Sequence, residues 1–196
     1  LVGSEMCIRD RTPPRSMRTS PKPLNGRSGR NGVADDKDCP YCASRPELLT
    51  CTPRAMLCVP IRPHVSPQDG GHLVVAPLRH VRSRLALSEE EMAEIDQLSR
   101  IAASALSAVL DVSWFNFQEN GNWGLDNPEQ QHMHLHVYGR SQSAVAQPFG
   151  EALRFPARAD VGSWSVEHLT HGQVAGLRSE AERLRPPPSQ RTSSAD

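Results

Sequence analysis

Residues 129–140 read EQQHMHLHVYGR and set His132, His134 and His136 at every second position. On a strand, side chains two apart point the same way, so these imidazoles are predicted to form a row with Met133, Leu135 and Val137 behind it. A row of neutral imidazoles makes a poor core face unless both ring nitrogens of each find partners. Three uses compete for it: a surface strand that carries histidine, a metal-binding triad, and catalysis, and the last takes the largest share.

Two other stretches bear on that choice. GHLVVAPLRH puts His72 at the start of a second apolar run and His80 just beyond its end. CPYC places Cys39 and Cys42 two residues apart, a spacing at which two thiolates chelate one zinc ion. A tetrahedral structural site then wants two more ligands, for which His80 and His132 are candidates; His72, His134 and His136 would stay free. The rival readings of CPYC are a thioredoxin-like redox pair and inert thiols. The redox pair wants the motif at a helix start, and ASRPELLTCTP after Cys42 has an early proline and no helical pattern.

Several elements are predicted to position these residues. Residues 33–54 read as a polar, Cys-containing leading segment. AMLCVPIRP (55–63) contains a short strand, SPQDGG (66–71) a turn, and HLVVAP (72–77) a buried strand closed by Pro77. A helix starts at the Ser88 cap, with Glu91 completing a capping box. Met92, Ile95, Leu98, Ala102, Ala105, Leu106 and Val109 give it an apolar stripe to about residue 110. VSWFNFQEN (112–120) returns to strand composition, residues 120–128 form a loop, and HMHLHVYG is the histidine strand. ALRFP (152–156) is a further short strand, and a second helix spans about 171–184, capped by Thr170 with Gln173. The fold class is α+β: an antiparallel sheet carrying one long helix, with an additional C-terminal helix.

The run H-M-H-L-H-V, preceded about fifty residues earlier by GHLVVAPLRH, resembles the histidine triad (HIT) family of nucleotide hydrolases and transferases, and CPYC makes it similar to the zinc-containing branch, in the manner of diadenosine tetraphosphate hydrolases. The likeness covers about residues 36–140. It implies a HIT-like fold and a reaction in which His134 is the nucleophile, His136 contacts the phosphate and His72 supports the site. It also implies one structural zinc held by Cys39, Cys42, His80 and His132. A neutral imidazole can attack the α-phosphorus of a nucleotide, giving a covalent nucleotidyl-histidine that water or another acceptor resolves. A homodimer is the usual assembly of the family. The pattern departs from many members at Glu129, three residues before the triad, where a hydroxyl residue commonly assists the leaving group; that role does not transfer. Gln130 or Gln131 is expected to donate an amide instead, and Asn116, Gln118 and Asn120 are further candidates for substrate contacts.

Composition sets outer limits. The 196 residues carry no net charge and 37% hydrophobic residues, enough for one domain with a real core. No apolar run approaches the roughly 20 residues of a membrane span. Five cysteines make no convincing disulfide framework, so a reducing, cytoplasmic setting is the default reading. Residues 1–32 hold seven Lys or Arg against two acids, and their Pro, Gly and Ser content marks a disordered or artefactual segment, beginning with the adapter-like LVGSEMCIRDR. That basic arm is the only hint of nucleic-acid binding, which is not expected. The remaining divisions are a catalytic domain over 33–140, an extension over 141–185 packed on it, and a disordered tail over 186–196. The expected function is hydrolysis of dinucleoside polyphosphates or related nucleotidyl conjugates. Its rivals are nucleotidyl transfer to a sugar phosphate or other acceptor, and a zinc-stabilised nucleotide-binding protein without turnover.

Overall fold

The computed structural model describes residues 39–43, 46–121, 131–157, 160 and 165–186. The readings made for residues 1–32, Glu129, Gln130 and most of the tail lie outside the described residues. Five strands form one antiparallel sheet: β1 (Leu48–Cys51), β2 (Ala55–Cys58), β3 (His72–Pro77), β4 (Trp114–Gln118) and β5 (Leu135–Arg140). Their spatial order is β1-β2-β3-β5-β4, so the two histidine-bearing strands lie side by side near the middle. Helices α1 (Glu89–Leu110) and α2 (His171–Leu184) complete the α+β fold expected from the sequence.

Helix α1 starts where its chemistry says it should. The Ser88 side chain accepts from the Glu91 backbone N–H, and the Glu91 carboxylate accepts from the Ser88 N–H, so two otherwise orphaned donors are satisfied. Ile95, Leu98, Ala102, Ala105 and Leu106 are buried against Leu57, Leu73, Val75 and Val137 of the sheet. Each large side chain in that set contributes about 1.5–3 kcal/mol by leaving water. Met92, placed on the stripe from the sequence, is instead 42% exposed. Glu91 holds the inward position in the first turn, gripped by the Arg79 guanidinium at 2.8 and 3.0 Å, and Met92 lies about 100° further round the helix. Helix α2 buries Val174, Leu177 and Ala181, and its capping box at Thr170 and Gln173 forms as expected.

Three sequence expectations change. Strand β1 lies inside the segment read as a polar lead; its LLTC run pairs with β2, buries Leu49, and has Thr50 donating to Glu182 of α2 at 2.6 Å. ALRFP is not a strand, because the Gln147 side chain takes the place of a pairing strand and bonds both the N–H and the carbonyl of Arg154 at 2.9 Å. Strand β4 is also shorter than the predicted 112–120, since Val112 turns into the core.

Alternation sorts the sheet into two faces. Leu73, Val75 and Val137 face α1, which leaves His72, Val74, His136 and Tyr138 on the other side. In register, His72 lies opposite Tyr138, and Val74 opposite His136. The turn before β3 crosses close to β5 at two glycines. A side chain on Gly139 would overlap the Gly70 carbonyl, and Gly70 has φ +130, so this approach needs glycine at both positions.

Candidate active site and metal centre

Strand β5 opens one residue after His134, so the histidine row is not wholly a strand. Its pairing with β3 runs from His72 opposite Tyr138 to Val75 opposite Leu135 and stops there. Pro77 closes β3 and has no N–H to give the ladder. Freed of pairing, residues 132–134 hold another course, with the Met133 N–H donating to the Val81 carbonyl. His134 and His136 still adjoin, with ring centroids 4.6 Å apart. His132 turns away to the cysteines, where its Nδ1 lies 3.3 Å from the Cys39 sulfur and 3.5 Å from that of Cys42.

The backbone assigns the tautomers. His134 Nδ1 lies 2.7 Å from the carbonyl of His132; a carbonyl only accepts, so Nδ1 carries the proton and Nε2 keeps its lone pair. His72 is set the other way: its Nδ1 accepts from the His64 backbone N–H at 3.1 Å, so its Nε2 carries the proton. That Nε2–H donates to His136 Nδ1 at 2.9 Å, which leaves His136 with its own proton on Nε2. Two neighbouring rings thus present opposite faces to a ligand, a lone pair from His134 and an N–H from His136. A nucleophile beside a hydrogen-bond donor is the arrangement that attack on a phosphorus centre requires.

Burial favours the neutral form of each of these rings. Burial pushes the His136 pKa down to about 2, and the nearby His134 and His64 rings add to the effect. His64 is lowered to about 4 by burial and by His134, and fully enclosed His72 lies well below the ordinary range for the same reason, reinforced by its histidine neighbours. His134 is lowered by burial against the opposing pull of the His132 carbonyl and the Glu119 charge.

A measurable acid sensitivity results. An unfolded imidazole takes a proton near pH 6.5, whereas His64, His72 and His136 refuse one until well below it. Their contribution is therefore complete above about pH 6.5 and is lost as the pH falls toward the folded values. Each ring kept neutral should steepen the loss by up to about 1.4 kcal/mol per pH unit. Denaturant midpoints should drop steadily from pH 7 to 5; a flat profile there would contradict the burial of these rings.

Cys39, Cys42, His80 and His132 bring four donor atoms within 4.8 Å of one another. A sulfur and a nitrogen on one tetrahedral zinc stand roughly 3.5 Å apart, given bonds of about 2.3 and 2.0–2.1 Å. The sulfur–nitrogen separations here are 3.3 and 3.5 Å to His132 and 3.5 Å from Cys42 to His80. His132 is also prepared as a ligand, because its Nε2–H donates to the Pro77 carbonyl at 2.9 Å and leaves Nδ1 open toward the sulfurs. These residues could hold a metal. His64, His72 and His136 form a second cluster of equal compactness. There His72 accepts on one nitrogen and donates on the other, so coordination through Nε2 would break its bond to His136 or require an imidazolate. The cysteine cluster fits a metal better.

The expected substrate amides fare differently. Gln118 lies opposite His136 in the ladder, and its buried side-chain oxygen has no hydrogen-bond partner among the described residues. Asn116 is occupied, accepting from Arg140 Nη1 at 2.7 Å, and Asn120 donates to the Tyr138 hydroxyl at 3.4 Å. Gln131 donates to the Gly121 carbonyl at 3.0 Å and borders a cavity of about 200 Å³ beside His134, lined also by Arg82, Ser83, Arg84 and Glu119. Gln130 lies outside the described residues. A larger hollow of about 600 Å³ along α1 borders Phe117, Leu135 and Arg84 and contains no imidazole.

Sequence reasoning missed three residues of the site. Tyr41, inside the CPYC loop, packs on His134 with centroids 4.8 Å apart. Tyr138 continues the parity of 132, 134 and 136, a signal that was there to be read. His64 stacks on His72 at 4.9 Å and bonds the Tyr138 hydroxyl at 2.8 Å. It lies in an irregular stretch between Pro63 and Val65, where no periodicity marks it.

No family profile and no curated protein matches the chain. Solved structures do. A zinc-bound histidine triad family protein from Mycobacterium smegmatis aligns at TM-score 0.51 and 20% identity, covering 74% of this chain and 94% of that one. A hypothetical histidine triad nucleotide-binding protein from Sulfolobus tokodaii aligns at TM-score 0.50 and 12% identity, covering 76% and 93%. A uridylyltransferase aligns at TM-score 0.50 and 18% identity over 74% of this chain and 45% of its own. At these identities the likeness is one of architecture, and the architecture is that of the histidine triad proteins.

Proposed function

We propose that this chain is a nucleotide phosphohydrolase that cleaves dinucleoside polyphosphates or related nucleotidyl conjugates through a covalent intermediate on His134. The observation that carries this reading is the opposed tautomers of His134 and His136 at 4.6 Å between ring centres. His134 Nε2 attacks the α-phosphorus, a P–N bond forms, and the bond to the leaving oxygen breaks with its electron pair on the departing polyphosphate. His136 Nε2–H donates to a non-bridging oxygen as charge gathers there. Gln118 is available for the same phosphate. Water then attacks phosphorus and releases a proton to solvent, the P–N bond breaks with its electron pair returning to His134 Nε2, and the nucleotide leaves. The nucleophile comes from the protein. The test is to trap the intermediate and locate it: a nucleotidyl group on His134, stable in base and lost in acid.

In the same reading Cys39, Cys42, His80 and His132 hold one structural zinc. His132 then serves twice, since its ring faces the metal position and its carbonyl fixes the His134 tautomer. Cys39, Cys42, Cys51 and Cys58 form no disulfide with one another, which suits a reducing, cytoplasmic setting. Among the described residues no helix is long and apolar enough to cross a membrane.

Transfer to a sugar phosphate or another acceptor is the second reading. It uses the same first step, and the likeness to a uridylyltransferase fold favours keeping it. An acceptor that suppresses hydrolysis and appears in the product would select it. We also propose a homodimer. Strand β4 is a sheet edge, with Trp114 62% and Phe117 48% exposed, which suits pairing between copies. Sedimentation at the monomer value at about 50 μM protein, well above a micromolar dissociation constant, would reject it.

A further inference from the structure

The segment between β2 and β3 has no ladder to hold it, yet its His64 supplies the N–H that sets the tautomer of His72. Something must hold residue 64 in place. Its imidazole Nδ1 lies 2.8 Å from the Tyr138 hydroxyl, and Asn120 donates to that same hydroxyl at 3.4 Å. The direction of the His64 bond is decidable. Tyr138 is fully buried, and among the described residues its hydroxyl bonds these two groups. If it accepted from both, its own O–H would be buried without an acceptor, which folded proteins avoid because the desolvated donor gains nothing in return. The hydroxyl therefore accepts from Asn120 and donates to His64.

We infer that Asn120, Tyr138 and His64 are positioning residues, joined in a directed hydrogen-bond chain that fixes the Nε2–H tautomer of His136. The chain runs from the Asn120 amide to the Tyr138 oxygen and from the Tyr138 hydroxyl to the His64 ring. From there it passes through the His64 backbone N–H to His72 and from His72 to His136. Stacking of the His64 ring on His72 at 4.9 Å seats the same residue from a second direction. Released from Tyr138, the His64 amide drifts from His72 Nδ1. His72 can then take the opposite tautomer, and His136 would meet the substrate with a lone pair where a phosphate oxygen needs a proton. Asn120 is thereby reassigned from substrate contact to support.

The inference rests on the proposed role of His136, so its test has an arm that needs no turnover. Nitrogen-15 NMR of histidine-labelled resting protein reports which ring nitrogen carries each proton. Native protein should show His72 and His136 as single Nε2–H tautomers, and Tyr138→Phe should show a mixture at both. A native spectrum with His136 protonated on Nδ1, or an unchanged one in Tyr138→Phe, overturns the inference whether or not the protein is a hydrolase. In turnover, Tyr138→Phe and His64→Phe should each lower kcat about 10–100-fold with KM nearly unchanged, as for a donor used mainly in the transition state. The double variant should be no worse than either single one. His64→Asn, which returns an acceptor to Tyr138, should recover most of the loss. Unchanged kcat in both single variants, or simple additivity in the double one, would also overturn it. Metal content at the native level in each variant shows that the fold has survived.

Discussion

His134→Ala should retain the fold and its metal and lose turnover by at least about a thousandfold, because the covalent route disappears with the nucleophile. The ring is half-buried at the end of the sheet and touches Tyr41 and His136, so its removal opens space without leaving a buried charge. The reason for so large an effect is the lone pair. The His132 carbonyl holds the proton on Nδ1 at 2.7 Å, and Nε2 has no hydrogen-bond partner among the described residues. His72→Ala should be milder, since it disturbs the orientation of His136 and leaves the nucleophile in place. Incubation with an adenylylated substrate, a basic quench and peptide mapping should place the adduct on His134. Substantial activity in His134→Ala, with no adduct in the native enzyme, would leave direct attack by water as the better account.

Cys39→Ala should act on folding first. Structural zinc contributes on the order of 10 kcal/mol in small domains, against a total stability of about 5–15 kcal/mol. The site ties the start of the described chain to residues 80 and 132, so its loss should loosen the base of the histidine row. Purified protein should carry about one zinc per chain, and chelation or Cys39→Ala should lower the unfolding midpoint sharply. His132→Ala should do the same and also cost activity, since its ring faces the metal position. Two metals per chain would show that the His64, His72 and His136 cluster also binds an ion and would undo the tautomers assigned to it. Metal-free protein with stability indifferent to chelators would remove the zinc altogether.

Much of the frame was legible before any coordinates. The Ser88 and Thr170 caps, the apolar spacing of α1 and the valine-rich run ending in Pro77 are local signals, and local chemistry decides them. Strand β1 was not legible. LLTC has no strong pattern of its own and becomes a strand only because β2 offers a partner and α2 a cover. ALRFP shows the converse, strand-like in composition but held as a loop by one glutamine side chain.

The site divides along the same line. Alternate spacing by itself grouped His134 with His136, and CPYC marked the cysteines, because both patterns put side chains within reach through neighbouring residues alone. What the sequence could not say is which nitrogen of each ring is free. That depends on the carbonyl of His132, the amide of His64 and the carbonyl of Pro77; the first two lie two and eight residues from the rings they set, and the third reaches its ring across 55 residues. His64 and Tyr138 are 74 residues apart and meet only because the segment after β2 folds back over the sheet. Residue types and spacing determined what chemistry this protein has in hand. Only tertiary structure decided where the protons sit, because a tautomer is chosen by whichever backbone group the fold brings to the ring.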